Sequence, residues 1–412
     1  MTTADAATLH PATIADLHEA LRWAVAEQQP LELVSGGTKR AIGRPMQVAA
    51  LLDLSGLTGL RDYDPPELVL TCGAATSMAE IAAALAEAGQ QLAFEPMDTG
   101  PLLGRAPGLG TLAGTISADF AGPRRVKAGA GRDHLLGFKG VTGRGELFKA
   151  GGRVVKNVTG YDIAKLVTGA WGTLVAFDEL SVKVLPAPET VQTLLLLGLD
   201  TEAGRAAMSA ALNSSHEVSG AAHLPGEIAA RVPAVAAAGC AVTALRLEGF
   251  ATSVAARAAA LTQELADRGP IEPLGEAESR QLWADLRDAR PLAPPLSDPE
   301  AEAVWRVSVP PTDGPAVVAA IAAQADVRAW LDWGGGLIWL GLPCGPDGGA
   351  TLVRGALAAH AASGHATLVR APASVRAAVP VFQPLPAALA ALSDRLKEQF
   401  DPHRVLNPGR LY

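Results

Sequence analysis

Short apolar runs that stop at glycine organise the first half of the chain. Leu31-Glu32-Leu33-Val34 alternates like a short strand and runs directly into Ser35-Gly36-Gly37-Thr38-Lys39-Arg40-Ala41-Ile42-Gly43. Residues 69–73, Val-Leu-Thr-Cys-Gly, predict a second strand. Ser77-Met78-Ala79-Glu80 then reads as a capping box that opens an alanine-rich helix, with Ile81 and Leu85 on one face and a stop at Gly89. Leu92, Phe94 and Pro96 suggest a further short strand broken by proline. Beyond residue 188 the period lengthens. Helical patterns fall near residues 202–212, 227–238, 252–268, 276–290, 316–324 and 351–362. Strand patterns fall at 191–197, 241–247, 304–309, 327–331 and 337–342, with loops at 269–275 and 291–299. That alternation predicts a small antiparallel sheet covered by helices, hence an α+β chain.

Glycine changes the picture. Seventeen glycines lie between Gly100 and Gly172, against nine over the longer span 188–333. Such density fits a need for positive φ, or for backbone pressed close to a flat or anionic ligand. A turn-rich β region without a ligand is the plainer reading. The loop after residues 31–34 favours a ligand: glycines directly after a strand let successive N–H groups face one anion, and Ser35, Thr38 and Lys39 add donors suited to a pyrophosphate. It is neither a Walker A loop nor the G-x-G-x-x-G dinucleotide fingerprint.

Composition narrows the classes. A chain of 412 residues, 49% of them hydrophobic, can build two or three cores. A net charge of −8 and the lack of clustered Lys/Arg with aromatics argue against nucleic acid. No apolar run approaches the ~20 residues of a membrane span. The N-terminus shows no signal-peptide pattern, so a cytoplasmic location is expected. Cys72, Cys240 and Cys344 lie far apart with no C-x-x-C, which leaves neither a disulfide framework nor ligands for an iron–sulfur cluster. Cys72 reads as a small buried hydrophobe.

Four motifs recur in order: Gly110-Thr111-Leu112-Ala113-Gly114; Lys156-Asn157-x-x-Gly160-Tyr161-Asp162; Gly172-Thr173-Leu174; and the ending Asp401-Pro402…Asn407-Pro408-Gly409. This order resembles the PCMH-type FAD-binding family, also called the vanillyl-alcohol oxidase type. Within it, the run Gly-Arg-Val-Val-Lys-Asn-Val-Thr-Gly-Tyr-Asp is most similar to the FAD-binding E subunits of glycolate oxidase, a 2-hydroxyacid dehydrogenase of several chains. The resemblance implies an FAD-binding domain at 1–187, a cap at 188–372 and a C-terminal segment at 373–412 that returns to the first domain. It implies that Ser35, Gly36, Gly37, Thr38 and Lys39 hold the FAD pyrophosphate. Gly110, Thr111, Gly114 and Thr115 would line the flavin and phosphates, Gly172, Thr173 and Val175 would approach from the other side, and Asn407 would close the rim. No histidine stands in the first loop, and Cys72 is the only cysteine before residue 240, so the resemblance implies non-covalent FAD.

The family likeness breaks at one hairpin. Related 2-hydroxyacid dehydrogenases carry a paired-histidine motif there; this chain reads Asp332-Trp333-Gly334-Gly335-Gly336-Leu337-Ile338-Trp339. No metal site is expected, because the eight histidines include no pair four apart and metal needs three or four converging ligands. Arg287 and Arg306 are candidate carboxylate clamps, since guanidinium binds carboxylate through two parallel hydrogen bonds. Tyr161 and Lys156 are further candidates near the flavin, with packing and a phosphate contact as their plainer roles. Trp330, Trp333 and Trp339 fit either an interface or core packing. The function implied is an FAD subunit that oxidises glycolate, with a homologous FAD subunit and an iron–sulfur subunit as partners that would also place it at the inner membrane periphery. The alternatives are a stand-alone D-lactate-type dehydrogenase and a structural subunit that holds FAD statically.

Overall fold

The computed structural model describes residues 7–153, 160–295, 298 and 300–411. Strands β1 (Ala7–Leu9), β2 (Leu31–Val34) and β3 (Ala50–Asp53) form a parallel sheet in the order β1-β3-β2. Helix α1 (Ile14–Ala26) starts at Thr13, whose hydroxyl accepts from Asp16 N while the Asp16 carboxylate accepts from Thr13 N. It buries Leu17, Leu21 and Ala24 against this sheet.

β4 (Leu60–Asp64) and β5 (Val69–Gly73) open a second, antiparallel sheet. Helix α2 (Met78–Glu87) follows, capped by Ser77 Oγ accepting from Glu80 N at 3.1 Å, with Ile81 and Leu85 buried. The expected strand over Leu92–Pro96 is absent; only β6 (Gln90–Gln91) is extended, and Glu95 turns through φ 50°. Pro96 has no N–H to offer a ladder. Helix α3 (Leu112–Ala118) precedes β7 (Leu135–Thr142), β8 (Leu147–Gly151) and β9 (Val175–Lys183). The five strands run in the order β4-β5-β9-β7-β8, and β10 (Leu185–Pro186) pairs back with β6.

From residue 190 the chain builds an eight-stranded sheet, larger than its pattern suggests. Its strands are β11 (Thr190–Leu197), β12 (Gly220–Leu224), β13 (Val242–Gly249), β14 (Ile271–Leu274), β15 (Glu302–Ser308), β16 (Arg328–Asp332), β17 (Leu337–Pro343) and β18 (His365–Arg370). All pairings are antiparallel, in the order β14-β11-β13-β12-β16-β17-β15-β18. Three strands escape the sequence pattern. β14 occupies the expected 269–275 loop, at an edge where Pro273 is tolerated. β12, Gly-Ala-Ala-His-Leu, has small residues with no period, and β18 does alternate. The helix expected at 227–238 is only Gly226–Ala229 plus a short turn at Ala236–Ala238, because Pro233 interrupts it.

Period-two alternation assigns the two faces of this sheet. Leu194, Leu196, Trp305 and Val307 face the helices Thr201–Asn213, Ala251–Glu264, Gly314–Ala322 and Ala350–His360. Leu195, Val304, Trp330, Trp339 and Val369 face the other way. They share a core with the helix Glu276–Arg287 and with Ile42, Met97, Phe120 and Trp171 of the first half. Trp330 and Trp339 stack at 6.2 Å inside that core and are not an exposed interface.

The two halves are also tied by buried ions. Arg246 on β13 donates to both Glu95 oxygens at 2.8 and 3.0 Å, and Arg124 does the same to Glu248 at 3.0 and 2.6 Å. Burial alone would raise Glu248, but Arg246 and Arg124 override it and hold its carboxyl at about 2. The chain then crosses back. Helix Ala387–Phe400 leads to a segment in which Leu406 bridges Leu31 of β2. Lys397 fixes that segment by donating to Asp401, Thr173 O and Leu406 O, while Asp401 accepts from the Val405 and Leu406 N–H groups.

Candidate functional site

A cleft opens where β2 ends, between the parallel sheet, α3 and the start of β9. Residues 33–40, Thr111, Gly114, Trp171, Gly172, Val175, Asn407 and Arg410 are among those lining it. The first wall is the loop after β2. Gly36 sits where a Cβ would overlap the Leu109 carbonyl oxygen, and Gly37 has φ +67°. Among the described residues, the N–H groups of Gly36, Gly37, Thr38 and Lys39 donate to no protein acceptor. Ser35 Oγ lies 2.8 Å from Thr111 Oγ1, which pins the loop to the start of α3.

The opposite wall depends on Asn407. Its Oδ1 accepts from Leu33 N at 2.8 Å, its Nδ2 donates to Trp171 O at 2.8 Å, and its N donates to Leu31 O at 3.0 Å. Trp171 holds φ +54°, which is costly for a bulky side chain, and the Asn407 amide secures the carbonyl of that strained residue. Gly172, at φ +68°, lies so close that a Cβ would come within 2.8 Å of Asn407 Nδ2.

The charge of the cleft is cationic. Among the described residues its lining contains Lys39, Arg40 and Arg410 and no Asp or Glu. Arg40 is neutralised by a two-point pair with Glu32 at 2.8 and 2.6 Å. Among the described residues Lys39 has no carboxylate partner, and its Nζ reaches only Thr38 Oγ1, at 3.5 Å. Burial pulls the Lys39 ammonium down to about 8, with Asp98 resisting. Arg410 Nη2 donates to Lys39 O at 2.5 Å, its guanidinium lies 5.6 Å from the Trp171 ring, and its Nε is buried without a partner. Unused N–H groups, two cations without carboxylate partners and apolar walls of Leu33, Val34, Val175 and Phe177 suit a ligand with a central anion and flat rings. A dinucleotide with a pyrophosphate fits that description.

Chain similarity decides which one. Residues 6–151 match the family described as FAD binding domain. The chain is 31% identical to glycolate oxidase subunit GlcE of Escherichia coli (strain K12) over 396 residues, 96% of each chain. The chain belongs to the GlcE family. FAD is its cofactor. The GlcE-family chain also resembles glycolate oxidase subunit GlcD of Bacillus subtilis (strain 168), at 39% identity over 89 residues, 22% of this chain and 19% of that one. Among solved structures, p-cresol methylhydroxylase with substrate bound superposes with a TM-score of 0.72 at 12% identity, over 98% of this chain and 88% of that one. That likeness supports the PCMH-type α+β fold.

Of the residues singled out in the sequence, Ser35, Gly36, Gly37, Thr38, Lys39, Thr111, Gly114, Gly172, Val175 and Asn407 meet at this one cleft. Gly110, Thr115 and Thr173 stand behind its wall. Gly110 O accepts from Met78 N, Thr115 N donates to Thr111 O, and Thr173 Oγ1 donates to Ala170 O at 2.6 Å. Cys72 is fully buried with its thiol pushed up to about 12 by burial, consistent with a packing role.

Two candidates lie elsewhere. Tyr161 is 90% exposed and lines neither this cleft nor the cavity beside it. Arg287 is spent on its neighbour, with Nε and Nη2 donating to the two Asp288 oxygens at 2.7 and 2.8 Å. Lys156 and Asn157 lie outside the described residues. Arg306 remains: it lines a second cavity that shares Trp171 with the first. At the hairpin, Asp332 is buried and caps the turn through Trp333 N, so it presents no free base. Trp171, Ser117, Phe177 and Arg410 also line the cleft and carry no motif of their own. Trp171 and Arg410 adjoin recognised motifs, and that adjacency was their only signal.

Proposed function

We propose that this chain is the FAD-binding subunit of a multi-chain glycolate oxidase that converts glycolate to glyoxylate and passes electrons to a partner chain. The observation that carries this reading is end-to-end similarity to GlcE, covering 96% of each chain. The partial likeness to GlcD supports a homologous FAD subunit as one partner. Three free cysteines, Cys72 of them buried, offer no cluster ligand set among the described residues, so an iron–sulfur partner is the expected electron exit. No helix among the described residues is long and apolar enough to cross a membrane, and any attachment to one would run through partners from the cytoplasmic side.

Residues 35–39 would cradle the pyrophosphate with their N–H groups, while Lys39 and Arg410 balance its charge. When bound, FAD supplies the acceptor for the two electrons that leave the glycolate C–H. Trp171, Gly172 and Asn407 would set how closely the flavin approaches the second cavity. FAD would be held without a covalent bond, since no His, Cys or Tyr among the described residues lines the cleft. A static, non-catalytic FAD subunit is the second reading, favoured by the hairpin at Asp332, which carries no histidine. Co-expressed with its partner chains, the complex should oxidise glycolate with an artificial acceptor, and activity should vanish when this chain is omitted. An unchanged rate without it would overturn the proposal.

A further inference from the structure

Arg306 lies on β15, on the same face as Val304 and therefore turned toward the first half of the chain. Its cross-strand partner on β18 is Thr367, and two residues further along Ser308 opposes His365. These four side chains floor a cavity of about 220 Å³ whose other walls include Asp119, Phe120, Arg125, Trp171 and Trp333. Pockets that take drug-sized ligands run to about 300–1,000 Å³, so this one suits a small molecule.

The two arginines are unusual in having nothing to bind. The Arg306 guanidinium lies 4.9 Å from the Trp333 ring and 5.3 Å from that of Phe120, and Arg125 covers Trp333 at 4.8 Å. Neither forms a salt bridge or a side-chain hydrogen bond among the described residues, and Arg306 Nε is buried without a partner. Aromatic stacking satisfies the planes of these groups but none of their five N–H donors. The Asp119 carboxylate is in the cavity but out of pairing reach, with Oδ1 also unpartnered, and burial raises its pKa. Burial, with Arg125 adding, lowers Arg306 to about 10, which still leaves it charged at neutral pH. Trp171 belongs to both this cavity and the FAD cleft.

We propose that Arg306, assisted by Arg125, is the clamp for the carboxylate of a small 2-hydroxy acid, holding it beside Trp171 at the edge of the FAD cleft. The assignment rests on the glycolate reading above and adds the residues that recognise the acid. A carboxylate is the occupant that fits, because it is flat, anionic and matches the guanidinium fork at two points. Arg287, the other candidate, is excluded by its pair with Asp288.

The test titrates the FAD-loaded chain with oxalate, which carries the carboxylate but no C–H hydrogen to lose, and with uncharged glycolamide. Calorimetry reads affinity, and FAD content reads folding. Wild type should bind oxalate and ignore glycolamide. Arg306→Met should weaken oxalate about 10–100-fold, as expected for loss of a charge-assisted pair. Arg306→Lys should recover part of that loss. Arg125→Gln should weaken it several-fold and serves if Arg306→Met loses its FAD. Oxalate affinity unchanged in both Arg306→Met and Arg125→Gln would overturn the clamp. Oxalate that fails to bind wild type, while glycolate still reduces the flavin, would overturn the clamp and leave the glycolate reading standing. Failure of both would overturn the two together.

Discussion

Lys39 carries the sharpest residue-scale consequence. It is a partly buried ammonium with no carboxylate partner among the described residues, and burial has already moved it to about 8. An anion in the cleft would restore its preference for the charged form. FAD affinity should therefore fall as pH rises above about 8, by up to about tenfold per pH unit. Lys39→Met should weaken FAD about 10–100-fold and abolish that pH dependence. Equilibrium FAD titration of both proteins across pH checks it. Asn407 acts through backbone instead. Asn407→Ala removes the acceptor of Leu33 N and the donor to Trp171 O, and should cost about 1–3 kcal/mol by urea unfolding. It should also lower FAD retention, because left-handed Trp171 loses the amide that holds it. Asn407 could be picked out from its Asn-Pro-Gly motif. Trp171 could not, since nothing in a sequence marks a tryptophan that must adopt positive φ.

At the scale of elements, the Asp332 hairpin and the bridge between halves are both testable. Burial raises Asp332 to about 7, far above an ordinary aspartate near 3.9. Its protonated form is the one favoured in the fold. The stability it contributes is complete below about pH 4 and is lost as pH climbs toward 7, with a slope of at most about 1.4 kcal/mol per pH unit. Asp332→Asn should flatten that fall while still capping Trp333 N, as unfolding at pH 4, 5.5 and 7 would reveal. Glu95→Gln should destabilise by about 3 kcal/mol, because buried Arg246 loses its main charge partner and keeps Glu248 at 3.5 Å and the Ser219 oxygens at 3.2 and 3.3 Å. Element type was readable where period and caps agreed, as for α2 after Ser77 or the helix at Thr201–Asn213. It failed at residues 227–238, where alanine-rich composition outweighed Pro233, and at β12, where small residues carry no period. The Glu95–Arg246 pair joins residues 151 apart and has no sequence signature.

For the whole molecule, one face of the eight-stranded sheet shares a core with Ile42, Met97, Phe120 and Trp171 of the first half, and Trp171 lines both the FAD cleft and the Arg306 cavity. The first half supplies a cationic cleft whose loop N–H groups are unused, and the second supplies a sheet face bearing Arg306. Sequence order alone could place the FAD motifs, because each is local. It could not place Arg306 beside Trp171, since that meeting depends on which face of β15 turns inward and on the C-terminal segment pinning β2. On the proposed reading, this chain's own flavin takes electrons from a 2-hydroxy acid. The most direct measurement is the anaerobic visible spectrum of the purified, FAD-loaded chain before and after glycolate. Bleaching of the flavin band is the predicted result, and a band that persists unchanged at saturating glycolate would contradict that role.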